Sequence, residues 1–228
     1  MDSISHLLHL PTYCTLCTQQ HRGPWSVCLA CASYLLPLGP ACKHCATPLP
    51  NTTLPLCGPC AVKQPAIDTV FTSFRFEEPL RGLLHDFKYN EQLHLGGFFA
   101  DLIVKALNND ALQTECLIPV PMHPKRLKER GFNQAALLTQ HIAQRTKKPY
   151  TLFSCKKLVH TAQQAHLNAR TRQMNLNNAF SSKPLPYQHV TLIDDLITTG
   201  STANALASCL KRTGIRQVDV WCCAKTVF

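Results

Sequence analysis

The sequence predicts an α/β protein, a mainly parallel sheet with covering helices, preceded by a small irregular metal-binding module. Three observations carry that expectation. Short apolar strands alternate with amphipathic helical stretches from about residue 70 onward. One of those strands, Val190 to Ile193, runs into two adjacent acids and a Gly-containing turn before the next helix. Eight of the thirteen cysteines form four Cys-x-x-Cys pairs between residues 14 and 60.

Composition bounds the answer. With 228 residues, 45% of them hydrophobic, and a mean hydropathy of −0.06, the chain can fill a core and has the length of one or two domains. A disordered chain, a collagen and a coiled coil are excluded. The stretch from Gly96 to Val104 is cut by Asp101, far short of the roughly 18 to 20 apolar residues that span a bilayer, so no membrane insertion is expected. Met1 to Pro11 carries an acid at position 2 and two histidines but no basic start before an apolar run. It does not read as a signal peptide, and a cytoplasmic location is expected.

In that reducing setting the cysteines are metal ligands before they are disulfides. The pairs are Cys14/Cys17, Cys28/Cys31, Cys42/Cys45 and Cys57/Cys60, their first members 14, 14 and 15 residues apart. Two thiolates on a tight turn bind a metal from one side, and a second pair closes the tetrahedron that zinc prefers. Eight thiols fit two structural zinc ions. Neighbouring pairs (Cys14, Cys17, Cys28, Cys31) and alternate pairs (Cys14, Cys17, Cys42, Cys45) satisfy the counts equally. His21 and His44 lie among the pairs as bystanders, and Cys116, Cys155, Cys209, Cys222 and Cys223 read as buried small hydrophobes.

Pro65, after a change in composition, marks the expected boundary between a module at 1–64 and a domain at 65–228. There, Val70 to Phe76 reads as a strand and Pro79 to Phe87 as a helix. Phe98, Phe99, Leu102, Ile103, Ala106 and Leu107 recur at helical spacing up to Asn108-Asn109. A buried strand from Leu117 to Val120 is followed by a basic loop and a helix over Asn133 to Arg145. Thr161 to Asn178 has weak periodicity and reads as a helix with an exposed face or as a loop. Val190 to Ile193 is a strand, Ser201 to Arg212 a helix ending at Gly214, and Gln217 to Ala224 an alternating strand.

The chemistry concentrates in residues 190–202. A strand ending in Asp194-Asp195 and turning through Thr198, Thr199, Gly200, Ser201 and Thr202 places amides and hydroxyls at a helix start, where a phosphate monoester is stabilised. Neither a Walker A lysine nor a triple-glycine dinucleotide motif is present. Two anionic carboxylates repel phosphate but accept hydrogen bonds from the vicinal hydroxyls of a ribose. Four apolar positions, two acids, two apolar residues and a Thr-Gly turn resemble the signature of the type I phosphoribosyltransferases, with Thr191 a polar intruder.

The resemblance extends further. Cys-x-x-Cys pairs, then Ile118-Pro-Val-Pro-Met-His-Pro-Lys-Arg-Leu-Lys-Glu-Arg-Gly-Phe-Asn-Gln-Ala135, then the Asp-Asp-Thr-Thr-Gly element are similar to the ComF family of competence proteins over nearly the whole chain. That resemblance implies a phosphoribosyltransferase-like domain binding phosphoribosyl pyrophosphate with Mg²⁺, in a protein of natural transformation that works with other competence proteins. It implies Asp194 and Asp195 as catalytic or diol-binding acids, residues 198–202 as the phosphate loop, and Lys125, Arg126 and Arg130 as pyrophosphate contacts on a turn able to close over the ligand. It equally allows an active transferase of another acceptor. Thr198 stands where enzymes of the 6-oxopurine class carry an aspartate, which disfavours hypoxanthine and guanine.

Charge points to a polyanion. The chain carries 23 basic residues against 13 acidic ones, a net +10. Residues 116–193 hold seven lysines and five arginines against Glu129, which exceeds the net charge of the whole. Beyond what one phosphorylated ligand needs, the surplus suggests single-stranded DNA, with Lys147, Lys148, Lys156 and Lys157, set apart from the pyrophosphate segment, as contacts. Phe132, Tyr150, Phe153, Phe180 and Tyr187 are few enough that binding would be backbone-directed.

Overall fold

The structure, a computed structural model, describes residues 11–50, 54–159 and 179–227. The segment Thr161 to Asn178 and the first ten residues lie outside them. At the centre, β3 (Thr69–Phe71), β5 (Cys116–Pro119), β8 (His189–Ile193) and β10 (Gln217–Trp221) form a parallel sheet in the order β3-β10-β8-β5. Both faces are covered, as an all-parallel sheet requires. The residues alternate accordingly. Val190 and Leu192 of β8 join a core with Val218, Val220 and Ile118, while Ile193 joins Leu117 and Trp221 in the opposite core.

One face is closed by the helix α7 (Ser201–Arg212), whose Ala203, Ala207 and Leu210 are buried against the sheet. The other is closed by α3 (Leu80–Tyr89), α4 (Leu95–Lys105) and α6 (Gln134–Thr146). The α4 helix begins three residues before the expected Phe98, running through Gly96 and Gly97 despite their poor helix propensity. Close approach explains it: a Cβ on Gly96 would stand 3.2 Å from the His141 ring of α6, and Arg145 Nη2 donates to the Gly97 carbonyl at 3.2 Å.

The expected strands at 70–76 and 217–224 are each interrupted. After residues 72–73, 194–195 and 222–223, three of the strands resume as β4 (Phe74–Arg75), β9 (Leu196–Ile197) and β11 (Ala224–Lys225), again parallel, in the order β4-β11-β9. The breaks lie at one level across the sheet, and the acidic pair occupies one of them. The expected basic loop is a helix, α5 (Pro124–Arg130). His123 caps it by accepting from the Lys125 N–H at 3.2 Å, Pro124 occupies its first turn, and Gly131 ends it at φ 82°. An unforeseen antiparallel pair, β6 (Cys155–Lys157) with β7 (Phe180–Ser182), packs against α7.

The cysteine-bearing segment, which holds β1 (Thr12–Tyr13), β2 (Gln20–His21), α1 (Leu29–Ala32) and α2 (Gly58–Val62), packs on the rest of the fold. Val27 and Leu35 join the core of α3 and α4, and Trp25 meets Phe98 edge-on at 5.7 Å. The Trp25 indole N–H donates to Asp101 Oδ2 at 3.0 Å, and Arg145 donates to both oxygens of the same carboxylate at 2.8 and 3.0 Å. One carboxylate thus ties the segment, α4 and α6 together. All five cysteines outside the pairs are buried, as expected.

Burial would raise the Asp101 carboxyl, but the Arg145 fork and the Trp25 indole hold it below its ordinary 3.8. Asp101→Ala takes the acceptor from the Trp25 indole and leaves Arg145 only the His141 and Gly97 carbonyls, and should cost about 2–3 kcal/mol in urea unfolding at neutral pH. A lowered carboxyl stabilises fully above its unfolded value and loses that contribution as pH falls through the folded one. The gap between variant and wild type should therefore narrow below about pH 4.

Candidate functional site

A cleft of about 240 Å³ opens at the carboxyl ends of β5 and β8, the edge at which open parallel sheets receive ligands. Six of the residues expected to bind or react line it: Asp194, Asp195, Thr198, Thr202, Arg126 and Arg130. Lys125 is exposed on α5 and outside the lining, as are Thr199 and Ser201, and the half-buried Gly200 lies outside it too. Those three shape the loop. Gly200 stands at φ 76° as the residue preceding α7, a left-handed conformation that glycine takes without strain, and the Thr199 hydroxyl donates to Ser201 Oγ at 3.0 Å. The buried ammonium of Lys225 on β11 donates to the Thr198 carbonyl at 2.6 Å and so props the loop from beneath.

The acidic pair is electrostatically loaded. Asp195 donates its backbone N–H to Asp194 Oδ1 at 2.9 Å, and its own side chain is buried. Withdrawal from water and the neighbouring Asp195 carboxylate push the Asp194 carboxyl up, to about 8, against the opposing pull of Lys88. Lys88, near the end of α3, reaches across to form an ion pair with Asp195 Oδ2.

The facing wall is cationic. Arg130 donates to Gln134 Oε1 at 2.8 Å and its guanidinium lies 4.7 Å from the Tyr89 ring centroid. The side chain of Asn133 caps α6 through Ala135 N–H and donates to the Val120 carbonyl at 3.2 Å, fixing the chain that leaves β5. Lys157 was expected among the cations remote from this segment, but it lines the cleft. On β6 its side chain is directed inward while Lys156 is exposed. Burial and the charge of Arg126 lower the Lys157 ammonium, with Asp194 acting the other way. Lys147, at the end of α6, is exposed and Lys148 half-buried, and neither lines the cleft.

The eight paired cysteines gather as neighbours. Cys14, Cys17, Cys28 and Cys31 form one group and Cys42, Cys45, Cys57 and Cys60 the other, with sulfurs within 4.8 Å of one another in each. Either group could hold a metal ion. Burial would raise Cys14, but the amides of Cys17, Cys28 and Leu16 turned toward its sulfur bring it down to about 6. The same competition brings Cys42 down to about 7. Burial and the neighbouring sulfurs push Cys31, Cys57 and Cys60 the other way, so in each group one sulfur is set up as a thiolate ahead of the rest. His44 is a bystander, its Nδ1 3.1 Å from the Ile67 carbonyl.

Among the polar lining residues, sequence reasoning gave no role to Lys88, His123, Asn133 and Gln134, and it gave Lys157 a role elsewhere. Asn133 and Gln134 stand inside the Arg130-to-Gln134 run that carried the family resemblance. Lys88 had no such signal, since one lysine on an amphipathic helix is ordinarily a solvated charge.

No family model matches the chain. Competence protein F of Haemophilus influenzae is 34% identical over 211 residues, covering 88% of this chain and 91% of that protein. The DNA utilization protein YhgH of Salmonella typhimurium is 32% identical over 229 residues, covering 97% and 100%. Competence protein ComFC of Bacillus subtilis is 26% identical over 204 residues, covering 82% and 79%. Among solved structures, the glutamine phosphoribosylpyrophosphate amidotransferase of B. subtilis superposes with a TM-score of 0.41 and 14% identity, over 60% of this chain and 30% of that one.

A carboxyl raised on folding favours the protonated form, so its drain on stability grows as pH climbs from its ordinary 3.8 toward the raised value near 8. Asp194→Asn should therefore melt a few degrees above the unliganded wild type at pH 8, on the order of 1 kcal/mol or more, and level with it near pH 4. Equal melting temperatures at both pH values would contradict the loaded pair.

Proposed function

The chain belongs to the ComF family of competence proteins, and on that premise we propose that its cleft binds phosphoribosyl pyrophosphate, or a related ribose 5-phosphate, with Mg²⁺ while the protein handles incoming single-stranded DNA. In this reading residues 1–64 are a zinc module and residues 65–228 the phosphoribosyltransferase-like domain. One observation carries it: Asp194 and Asp195 lie in the same cleft as the start of the Thr198–Thr202 loop and two arginines of a facing helix.

The parts divide the ligand among them. The acids accept from the ribose diol, which the cationic wall cannot do. The helix start, with Thr198 and Thr202, takes the 5-phosphate through amides and hydroxyls. Arg126 and Arg130, whose planar guanidinium groups bind oxyanions in pairs, take the pyrophosphate. Mg²⁺, when bound with the ligand, supplies charge neutralisation for the diphosphate. Zinc suits the four-sulfur groups, and with every ligand position filled by thiolate it is structural.

A second reading follows from the cationic wall. A site that holds pyrophosphate opposite an anomeric carbon stabilises its departure, so the same groups would serve an active transferase by position and electrostatics. Pyrophosphate release in the presence of a panel of bases, amines and DNA distinguishes transfer from binding alone.

The double variant Asp194→Ala, Asp195→Ala removes about two charge-assisted hydrogen bonds of roughly 1.5–3 kcal/mol each, so affinity for phosphoribosyl pyrophosphate should fall about a hundredfold or more in calorimetric titration. Unchanged affinity would remove the ribose assignment. For DNA, contact with about five phosphates gives a slope near −3.5 in a plot of log binding constant against log salt. With Lys157 in the cleft, the probe of a separate surface is Lys147→Ala, Lys148→Ala, Lys156→Ala. That triple variant should flatten the slope and leave phosphoribosyl pyrophosphate binding intact. A steep slope retained by the variant would assign DNA to other cations.

A further inference from the structure

Lys88 is the one cation within the cleft that forms an ion pair with the acidic pair among the described residues. Its setting is rigid. Phe87 beside it is fully buried against Phe99 at 5.3 Å, which fixes the rotation of α3 about its axis. Gln134 donates to the Lys88 carbonyl at 3.4 Å and is itself held by Arg130, which stacks on Tyr89. The lysine stem therefore leaves a braced helix end and carries its ammonium over the cleft floor, with the side chain only 19% exposed and that of Asp195 9%.

The consequence is a conflict of occupancy. Asp195 Oδ2 is buried beneath the Lys88 ammonium, so a ribose hydroxyl that is to donate to that oxygen must displace the lysine. The evicted ammonium cannot be left unpaired in a space this enclosed. Arg126 and Arg130 line the same cleft and repel it, and Asp194 is the other half of the diol site that the sugar occupies, so the partner left to it is an anionic oxygen of the incoming ligand.

We infer that Lys88 is a stand-in cation: it neutralises Asp195 while the cleft is empty and moves to the ligand's phosphate or pyrophosphate oxygens when the sugar takes its place. This rests on the phosphoribosyl ligand proposed above. It makes Lys88 a ligand-binding residue supplied by α3, on the wall opposite the phosphate loop. It also makes the cleft selective, because a neutral sugar displaces the ammonium without offering it a new partner, whereas a phosphorylated one does both.

Two probes separate the two halves of the exchange, each measured on the full chain at pH 8. Mn²⁺ alone reports negative charge left uncompensated at the acidic pair. Inorganic pyrophosphate reports the cations. In Lys88→Met, Mn²⁺ should bind at least tenfold more tightly than to the wild type, and pyrophosphate about tenfold more weakly. Lys88→Arg, which keeps the charge, should restore both toward wild type, a rescue that a role in packing alone would not produce. If Lys88→Met does not fold, Lys88→Gln carries the same two expectations. Unchanged Mn²⁺ affinity overturns the stand-in role, and unchanged pyrophosphate affinity overturns the transfer to ligand. A wild type that binds neither pyrophosphate nor phosphoribosyl pyrophosphate sinks the proposed ligand instead, while the Mn²⁺ arm still decides whether Lys88 compensates Asp195.

Discussion

Two carboxylates side by side, withdrawn from water at the level where three parallel strands lose their ladder, are the constraint around which this molecule is arranged. A continuous β8 would have pointed consecutive side chains to opposite faces of the sheet. The break at residues 194–195 suspends that alternation and lets both acids serve one cleft. The interrupted backbone is not abandoned. Asp194 donates to the Trp221 carbonyl at 3.1 Å, and Cys223 donates to that of Asp195 at 3.2 Å. Neighbouring β10 breaks at the same height, so the site is a property of the sheet more than of one loop.

Each wall of the cleft rests on one cysteine group. The first group lies with α3 and α4, where Cys14, Val27 and Leu35 share a core with Leu83, Phe87 and Phe98, and so it stands behind Lys88. The second lies behind β3 and the start of α7. The Lys43 carbonyl accepts from Val70 at 2.8 Å, His44 meets Ile67, and nearby Ala66 donates to Asn204 Oδ1, in the first turn of α7, at 2.6 Å. A metal in either group would link its binding free energy to the geometry of one wall.

Legibility from sequence followed the range of the interactions involved. The β8 strand, its acids, the loop and α7 were readable because they are contiguous and each obeys a local rule: alternation, a turn glycine, a helix start. The cysteine spacing announced two four-sulfur groups, yet whether neighbours or alternates pair depends on how the turns stack, which no spacing encodes. The basic segment after Pro121 was misread as a loop. His123 is an unusual cap, and a run dominated by Lys and Arg has no apolar stripe to betray a helix. Lys157 was assigned to the outer surface because charge was counted without the alternation of β6, which turns Lys156 out and Lys157 in. Lys88 and Lys225 take their roles from partners more than a hundred and about thirty residues away, respectively, and nothing local marks them.

The strand order carries a consequence for how the chain is made. β10 pairs with β3 on one side and β8 on the other, yet it leaves the ribosome after every other strand of that sheet. Until then the Val190 and Leu192 edge of β8 has no neighbour on that side, and β3 has none at all. Such unpaired apolar edges are templates for aggregation. Closure therefore waits for β10, and a nascent chain stalled before Gln217 lacks the middle of its sheet rather than its margin. Lys225, which props the phosphate loop, follows β10 in the chain, so ligand competence cannot precede closure of the sheet.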